Sequence, residues 1–513
     1  MINLSNGNIS YSQDFLIKYI PIKAGRLVCV FNEIDARELG VLPMDRVEVT
    51  NKRTGKKAVA VVDVTKDWVP ENHVGIFSDV LEKIDAKQKE TVSIKASEPL
   101  KSLDLIKKKM DGEILTFEEI SLIVNDISQE RLSEAEASAF VSSVYINGLN
   151  LEETISMTKA LIADGNRINF SKKMIVDKHS VGGVNGRATM IIVPIVAAAG
   201  LYMPKTSSRS ITSCAGTADS MEVLAPVDLD MDQVKKITER VGGVITWGGA
   251  VDLAPADDKI IQLEHPLSLD PEGQVIASVL AKKASVGSKF VVIDLPVGRY
   301  VKIKDKETAM RMAKTFVQVG KEVGMEVESV ITSGEEPCGL AFGPALEAKY
   351  AMEILEGKRF DNLAQKSCEL AGVMFELVGM SKQGQGYYTA VEILKSGKAL
   401  EKMKEIIKAQ GGKIFSSEQI PLSKLFREVK AKEDGVIEDI NTKEMTRVAR
   451  LAGAPANANA GIMMAKIEGE KIQAGDVLFT IYAENEAKLI SAFNYADSKL
   501  PYAFRKIIIS TVR

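Results

Sequence analysis

The strongest constraint on the fold of this chain is the alternation of apolar runs and amphipathic stretches between residues 172 and 412. The apolar runs begin at Met190, Val241, Phe290 and Val327. Helical stretches such as residues 309–323 lie between them. This alternation predicts strands joined by helices, in a sheet that binds ligands at the carboxyl ends of its strands. We therefore expect a central α/β domain at 171–428, built on a mixed sheet.

The residues before this region show two other patterns. Short β-rich runs separated by turn-like breaks predict a small β-barrel at 1–98, with a short helix near 33–39. Residues 99–170 have apolar residues at helical spacing and predict a helical domain, joined by a later segment near 255–285. Its helix-start signals are Thr116-x-x-Glu119, Ser133-x-x-Glu136 and Asn150-x-x-Glu153.

The last part of the chain, 429–513, is again β-rich with at least one helix and predicts an α+β domain. The fold class is therefore α/β multidomain, with a small barrel, a helical domain, the central domain and this last one. A length of 513 residues agrees with several domains, because one domain usually holds roughly 100–200 residues.

Composition limits the function classes. Lys plus Arg is 66 and Asp plus Glu is 69, so no overall basic charge attracts nucleic acid or an anionic membrane. The longest uncharged run, 188–204, is shorter than the ~20 residues of a membrane-spanning helix. The four cysteines are far apart and the start lacks a signal-peptide pattern, so we expect a cytoplasmic protein without disulfides.

A glycine-rich turn at 177–186 is the clearest candidate for chemistry. Lys178, Ser180 and Gly182 stand together in it, so an ammonium, a hydroxyl and backbone N–H groups can approach an anion closely. The run that follows, 187–199, could supply a helix N-terminus with its positive dipole end. The P-loop order is absent. A turn of this kind can also be purely structural, but the Lys-x-Ser beside it favours phosphate binding.

A second candidate is the segment 207–217, which places six hydroxyls around one arginine. Its candidate ligands are Ser208, Arg209, Ser210, Ile211, Thr212, Ser213 and Thr217. Buried hydroxyls each need a hydrogen-bond partner, so such a segment is better suited to a ligand than to a core. The alternative is a solvated Ser/Thr loop.

Four strings in this order resemble the thymidine and pyrimidine nucleoside phosphorylase family. They are DKHSVGGV from Asp177, SSRSITSCAGTADSMEVL from Ser207, LAPADDK from Leu253 and ASVLAKK from Ala277. The resemblance covers 102–513 and implies phosphorolysis, in which inorganic phosphate attacks the anomeric carbon and the base leaves. GPALE at 343–347 and the β-rich start are similar to the archaeal AMP-phosphorylase branch. That branch converts AMP, CMP or UMP and phosphate to free base and ribose 1,5-bisphosphate, in nucleotide salvage.

The resemblance also implies roles for single residues. Lys178, Ser180 and Thr217 would hold the attacking phosphate, and the loop 208–213 the nucleotide phosphate. Ser278 and Lys282 match base-contacting residues, and Lys302 a further ligand contact. Asp270 matches the residue that protonates the departing base. A carboxyl that donates a proton at neutral pH has to be buried or close to another anion. The alternatives are that Asp270 opens a turn and that Lys302 is a solvated strand residue.

Two observations favour a nucleotide over a nucleoside. The hydroxyls around Arg209 suit a second phosphate group. Nucleoside phosphorylases place an arginine against the pyrimidine ring. The corresponding stretch here, Leu263-Glu264-His265-Pro266, has no arginine.

Other functions remain open from the sequence. They are a pyrimidine nucleoside phosphorylase without its usual arginine and a magnesium-dependent phosphoribosyltransferase that uses Asp257 and Asp258. The β-rich start could instead be a binding or assembly module. We expect small-molecule substrates with phosphate as co-substrate, no cofactor, no metal, and a homodimer or larger homo-oligomer.

Overall fold

The computed structural model describes residues 12–97, 100–170, 174–182, 188–210, 213–251 and 253–505. The chain forms two compact units. The first contains the residues up to Gly148 and Lys259–Pro271, and the second contains Leu149–Asp258 and the residues from Glu272 onward.

The first unit begins with a closed barrel of six strands in the order β1-β5-β2-β4-β3-β6. These are β1 (Ser12–Ile20), β2 (Val28–Asn32), β3 (Arg46–Asn51), β4 (Lys57–Thr65), β5 (His73–Phe77) and β6 (Thr91–Ala96). Two short helices follow β2 and β5, α1 (Glu33–Leu39) and α2 (Ser78–Lys83). Every second residue of β3 is buried, because alternate side chains point into the barrel. The predicted barrel and its helix near 33–39 are confirmed.

Four helices follow the barrel, and they confirm the predicted start signals. They are α3 (Lys101–Met110), α4 (Phe117–Ser128), α5 (Glu134–Asn147) and α6 (Leu151–Asp164). Thr116, Ser133 and Asn150 each cap a helix through a reciprocal bond with the glutamate three residues later. The first three helices belong to the first unit and α6 to the second. The domain boundaries given by the sequence stay predictions.

The second unit contains parallel strands joined by helices. The strands are β7 (Val176–Ser180), β8 (Met203–Ser207), β9 (Gly243–Trp247), β10 (Phe290–Val297) and β11 (Glu326–Ser333). The helices are α7 (Ala188–Ala198), α8 (Thr217–Glu222), α9 (Met231–Val241), α10 (Pro255–Glu264), α11 (Glu272–Ser285) and α12 (Lys306–Glu322). The helix α10 starts in the second unit and ends in the first.

The sheet order is β11-β10-β7, and β8 pairs with β9. A parallel bridge between Ile175 and Tyr202 connects the two parts. The α/β class is confirmed, but the expectation of a mixed sheet is wrong for the described pairs. All of them are parallel, because at least one helix separates each strand from the next along the chain.

The apolar run at Met190 lies within α7, which agrees with the helix expected after the glycine-rich turn and not with the strand that the alternation predicts. Every side chain of α7 from Ala188 to Ala197 is buried, in spite of Pro194 inside the helix. A helix buried on all sides is apolar all round and has no amphipathic period, so its sequence looks like that of a buried strand.

The rest of the second unit holds the helices α13 (Pro344–Leu355), α14 (Asn362–Leu377), α15 (Gly386–Lys395) and α16 (Lys398–Ala409) and a two-sheet region with two further helices. One antiparallel sheet joins β12 (Ala341–Phe342), β13 (Phe426–Lys430), β15 (Gly461–Met464) and β17 (Val477–Tyr482). The other joins β14 (Gly435–Ile440), β16 (Lys471–Ile472) and β18 (Tyr502–Phe504). With α17 (Thr442–Ala452) and α18 (Glu486–Ser498), they confirm the predicted α+β end of the chain. No helix in the described ranges is long and apolar enough to span a membrane.

Candidate active site

The carboxyl end of β7 brings two predicted ligands beside a buried carboxylate. Ser180 is the register partner of Asp294 on the neighbouring strand β10, and its hydroxyl donates to Asp294 Oδ2 at 2.6 Å. The Lys178 ammonium donates to Ser180 Oγ and lies 4.0 Å from the same Asp294 oxygen. Lys178 and Asp294 are both buried, so these contacts form at a site shielded from water.

Two residues from other elements complete this group. The hydroxyl of Thr332, on β11, donates to Asp294 Oδ1 at 2.6 Å. The ammonium of Lys366, on α14, lies 3.1 Å from Asp294 Oδ2 and 3.0 Å from Thr332 Oγ1. Lys178, Ser180, Asp294, Thr332 and Lys366 are called the Asp294 cluster below. It has two ammonium groups for one carboxylate, and an excess of positive charge at strand ends suits an anion.

The charges of the Asp294 cluster depend on one another. Burial lowers the pKa of Lys178 from its ordinary 10.5 to about 8, although the Asp294 carboxylate opposes this shift. Burial alone would raise the pKa of Asp294, but the ammonium groups of Lys178 and Lys366 hold it below its ordinary value. The Asp294 carboxylate is therefore ionised at neutral pH. An anion bound to Lys178 would favour the charged form of the lysine.

A second buried group lies next to it along β7. Asp177 binds Lys283 at 2.7 Å and Lys205 at 3.4 Å, and all three side chains are buried. Burial lowers the pKa of Lys205 well below its ordinary value. Burial and the surrounding lysines lower the pKa of His179 as well, so its ring is neutral at physiological pH. His179 therefore adds no positive charge to the site.

Gly182 and Lys302, both predicted ligands, are in contact. Gly182 has a φ of +67°, and a Cβ on it would lie 2.2 Å from Lys302 Cγ. The backbone N–H of Lys302 donates to Gly182 O at 3.4 Å. The positive φ of Gly182 and the close approach of Lys302 both require a residue without a Cβ. The remaining turn residues, 183–187, lie outside the described residues.

Arg209, at the start of the second predicted segment, is bound to carboxylates. Its guanidinium lies 2.8 Å from Glu222, 3.2 Å from Asp228 and 3.5 Å from Asp219. The hydrogen bond that Arg209 donates to Glu222 is the main reason why the pKa of Arg209 is raised above its ordinary value. In this structure Arg209 is thus engaged by acidic side chains, and its binding of a nucleotide phosphate stays a prediction.

The other described residues of this segment bind one another and two neighbouring side chains, Asp219 and Arg450. The carboxylate of Asp219 accepts from the backbone N–H groups of Ser210 at 2.8 Å and Gly216 at 2.7 Å. The carbonyl of Ser213 accepts from the Ser210 hydroxyl and, at 2.9 Å, from the guanidinium of Arg450.

The other predicted residues of this segment are Ser208, Ile211, Thr212 and Thr217. Ser208 is exposed, and so is Ser213. Thr217 is the first residue of α8. Ile211 and Thr212 lie outside the described residues.

Ser278 and Lys282 lie one turn apart on α11 and share a partner. The hydroxyl of Ser278 donates to Asp257 Oδ2 at 2.7 Å. The ammonium of Lys282 lies 2.8 Å from Asp257 and 3.1 Å from Asp258. Burial would lower the pKa of Lys282, but these two carboxylates raise it above its ordinary value. The acidic pair considered for Mg²⁺ is therefore bound to an ammonium, which weakens the phosphoribosyltransferase alternative.

Asp270 follows a short 3-10 helix, His265–Leu267, in the first unit. Its side chain is exposed, so the structure does not show the burial that a proton donor of this type needs. The role of Asp270 as the acid stays a prediction. Among the residues described, no group of three or more His, Cys, Asp or Glu side chains could hold a metal ion.

Sequence spacing gives no role to Asp294, Thr332 and Lys366, and Asp177 stands in the glycine-rich turn without a role of its own. The first three lie on two strands and a helix far from the turn in the chain, so no local spacing joins them to Lys178 and Ser180. One signal was available, since Asp294 is the single charged residue in the apolar run FVVIDLPV. A charge inside a buried strand needs a partner and so indicates a site or an ion pair.

Comparison with known proteins matches three stretches of the chain to family descriptions. Residues 103–165 match the helical bundle domain of a glycosyl transferase family, and residues 172–400 match the a/b domain of that family. Residues 436–503 match the pyrimidine nucleoside phosphorylase C-terminal domain.

Curated relatives match over nearly the whole chain. AMP phosphorylase 1 of Archaeoglobus fulgidus is 44% identical over 493 residues, 96% of this chain and 97% of that protein. AMP phosphorylase of Methanospirillum hungatei JF-1 is 44% identical, over 97% of this chain and 96% of its own. AMP phosphorylase of Methanococcoides burtonii is 42% identical, over 97% and 98%.

Proposed function

This chain belongs to the AMP phosphorylase family, and on that premise we propose that it cleaves AMP with inorganic phosphate, giving adenine and ribose 1,5-bisphosphate. The observation that carries the proposal is the near full-length similarity to AMP phosphorylases, which includes the barrel as well as the three matched domains. The chain is thus a pentosyltransferase of the phosphorolytic kind.

The Asp294 cluster supports this reaction physically. Lys178 and Ser180, with Thr217, would hold the attacking phosphate at the carboxyl ends of the strands. Phosphate is a weak nucleophile that needs orientation more than activation, so the main contribution is to hold it in line with the anomeric carbon. Positive charge nearby lowers the cost of bringing a multiply charged anion out of water.

The other proposed roles concern the nucleotide. The segment 208–213 with Arg209 would bind the 5′-phosphate, and Ser278, Lys282 and Lys302 would contact the nucleotide. Asp270 would protonate adenine as it leaves, because a purine is a poor leaving group as an anion. Phosphorolysis also requires water to be excluded from the sugar, since water would give hydrolysis instead.

Finer points are part of the proposal as well. We propose CMP and UMP as further substrates, a place in nucleotide salvage, and a homo-oligomeric, cytoplasmic enzyme. The four cysteines, Cys29, Cys214, Cys338 and Cys368, are not in disulfides, which supports a reducing compartment. The reaction needs no metal or cofactor in this proposal, so full turnover after exhaustive treatment with EDTA is expected.

The test is a substrate comparison at equal phosphate. The enzyme is mixed with phosphate and either AMP, thymidine or uridine, and release of free base is followed by chromatography. We expect adenine from AMP only when phosphate is present. Consumption of thymidine with AMP untouched would overturn the proposal.

A pyrimidine nucleoside phosphorylase is the second candidate, because residues 436–503 match the C-terminal domain of that class. The stretch Leu263–Pro266 has no arginine to contact a pyrimidine, which counts against it. Uracil release from uridine in the same assay would favour this candidate.

A further inference from the structure

We propose that Asp294 is the positioning residue of the phosphate site: it fixes Ser180 and Lys178 in place and keeps the Lys178 side chain charged until phosphate binds. The inference rests on the proposed function, in which Ser180 and Lys178 hold the attacking phosphate. It adds Thr332 and Lys366 as the groups that hold Asp294 itself.

The geometry gives Asp294 a fixed position from which to act. It lies in the middle strand of the β11-β10-β7 sheet and is 1% exposed. Its Oδ1 accepts from Thr332 at 2.6 Å, which leaves Oδ2 directed at Ser180, 2.6 Å away. Lysine and serine side chains otherwise have several rotamers, so a fixed carboxylate removes freedom that phosphate binding would have to restrict.

The hydrogen-bond directions show what must change when phosphate arrives. The ammonium of Lys178 donates to Ser180 Oγ, and the Ser180 hydroxyl donates to Asp294. The Ser180 proton therefore points at Asp294 and has to turn before it can bind phosphate. Asp294 still keeps Thr332 and Lys366 as partners after that turn, so the buried carboxylate is never left without a compensating charge.

The charge on Lys178 depends on groups from several elements. Asp294 on β10 and Asp177 on β7 favour the charged form, and Lys366 on α14 disfavours it. The other titratable groups that act on Lys178 or on which it acts are Cys338, Lys205 and His179. Within the Asp294 cluster, Asp294 thus raises the pKa of Lys178 and Lys366 lowers it.

These opposite directions give the test, which uses Asp294→Asn and Lys366→Gln in the full-length enzyme. Asp294→Asn keeps the shape of the side chain, Lys366→Gln keeps a polar side chain, and each replacement removes one charge. We expect Asp294→Asn to raise the KM for phosphate about tenfold or more, as for a lost charge-assisted hydrogen bond, and to leave the KM for AMP within about twofold.

The pH profile separates positioning from a general structural role. At alkaline pH the affinity for phosphate falls when Lys178 loses its proton. Asp294→Asn should move this fall to lower pH, and Lys366→Gln should move it to higher pH. The ionisation of phosphate itself is common to all variants and cancels in the comparison with the original enzyme.

Thr332→Val is the matched control, because valine has the shape of threonine. It removes only the hydroxyl that donates to Asp294 Oδ1. It should change the KM for phosphate less than Asp294→Asn and leave the alkaline fall in place. The proposal is overturned if Asp294→Asn raises both KM values equally, or if the two charge variants shift the profile in the same direction or not at all.

Failure of the proposed function would be seen separately. If the original enzyme does not cleave AMP, binding of inorganic phosphate is measured by titration calorimetry for the same proteins. Phosphate binding weakened in Asp294→Asn would then support the positioning role without the AMP reaction. Equal phosphate binding by the original enzyme and Asp294→Asn, or no phosphate binding by either, would overturn it.

Discussion

At the scale of single residues, the site holds more buried lysines than buried carboxylates. Asp294 faces the ammonium groups of Lys178 and Lys366, and Asp177 faces the side-chain nitrogens of Lys283 and Lys205. Burying a charge is unfavourable unless it is paired, so a surplus of buried lysines is costly without an anion. This surplus is the physical reason to expect that phosphate stabilises the free enzyme.

The pKa of Lys178 gives a pH prediction for the unmodified enzyme. Its ammonium loses a proton as the pH rises through about 8, which removes positive charge from the site. The KM for phosphate should therefore rise above pH 8, approaching tenfold per pH unit, as for one titrating group. Initial rates at varied phosphate from pH 6.5 to 9.5 test this, with the KM for AMP measured beside it. A KM for phosphate that stays flat to pH 9.5 would contradict the assignment.

Asp270 gives a prediction about the leaving base. Asp270→Asn should slow AMP cleavage by roughly 100-fold or more, the usual contribution of a general acid. Cleavage of UMP should lose less, because uracil has no basic ring nitrogen, such as N7 of adenine, that a carboxylic acid can protonate. The KM for phosphate serves as the control and should not change. Equal losses for AMP and UMP would show that Asp270 has another role.

The sequence was informative for residues whose partners are local. Lys178, Ser180 and Gly182 lie in one turn, and a ligand role for them followed from spacing and resemblance. Asp294 could not be assigned this way, because Ser180 is 114 positions before it. Only the register of β7 against β10 puts the two side chains together, and sequence spacing carries no register between distant strands.

At the scale of elements, the helix caps were predictable, whereas the sequence of the buried helix α7 allowed two interpretations. A capping box is complete within four residues, so Thr116 and Glu119 could be recognised as a pair. The helix α7 has no polar face, so its apolar run from Met190 fits a buried strand as well as the helix expected after the glycine-rich turn. A buried position hides the period that distinguishes the two structures.

The cap of α4 gives a stability prediction. Thr116→Ala removes the oxygen that accepts from the backbone N–H of Glu119 and should lower the free energy of unfolding by about 1 kcal/mol. Urea denaturation followed by circular dichroism measures it. Glu118→Ala on the same turn is the control, since Glu118 takes no part in the capping box, and it should cost less. Equal losses for both variants would argue against the cap as the cause.

At the scale of the whole molecule, the barrel and the helices α3–α5 form one compact unit. Arg46 on β3 connects them, because it donates to the Arg131 carbonyl at 2.8 Å and binds the Glu136 carboxylate. The arginine is largely buried, so this pair is expected to stabilise the unit more than exposed ion pairs do.

Arg46→Met tests this connection. It leaves Glu136 without its guanidinium partner and should lower the stability of the unit by roughly 2 kcal/mol, the range for a hydrogen bond to a charged group. Hydrogen exchange of the backbone amides in β3 and α5 should increase accordingly. Lys57→Met is the matched control, since the pair of Lys57 with Glu48 is more exposed and should matter little. Unchanged exchange in Arg46→Met would contradict the role of Arg46.

The central claim, that phosphate attacks the sugar of AMP directly, is tested by ³¹P NMR of AMP, inorganic phosphate and enzyme. The account predicts two new resonances of equal intensity, from phosphates at carbon 1 and carbon 5 of one ribose, with one inorganic phosphate consumed for each adenine released. A single new resonance from ribose 5-phosphate, with inorganic phosphate unchanged, would mean that water is the nucleophile and would contradict the account.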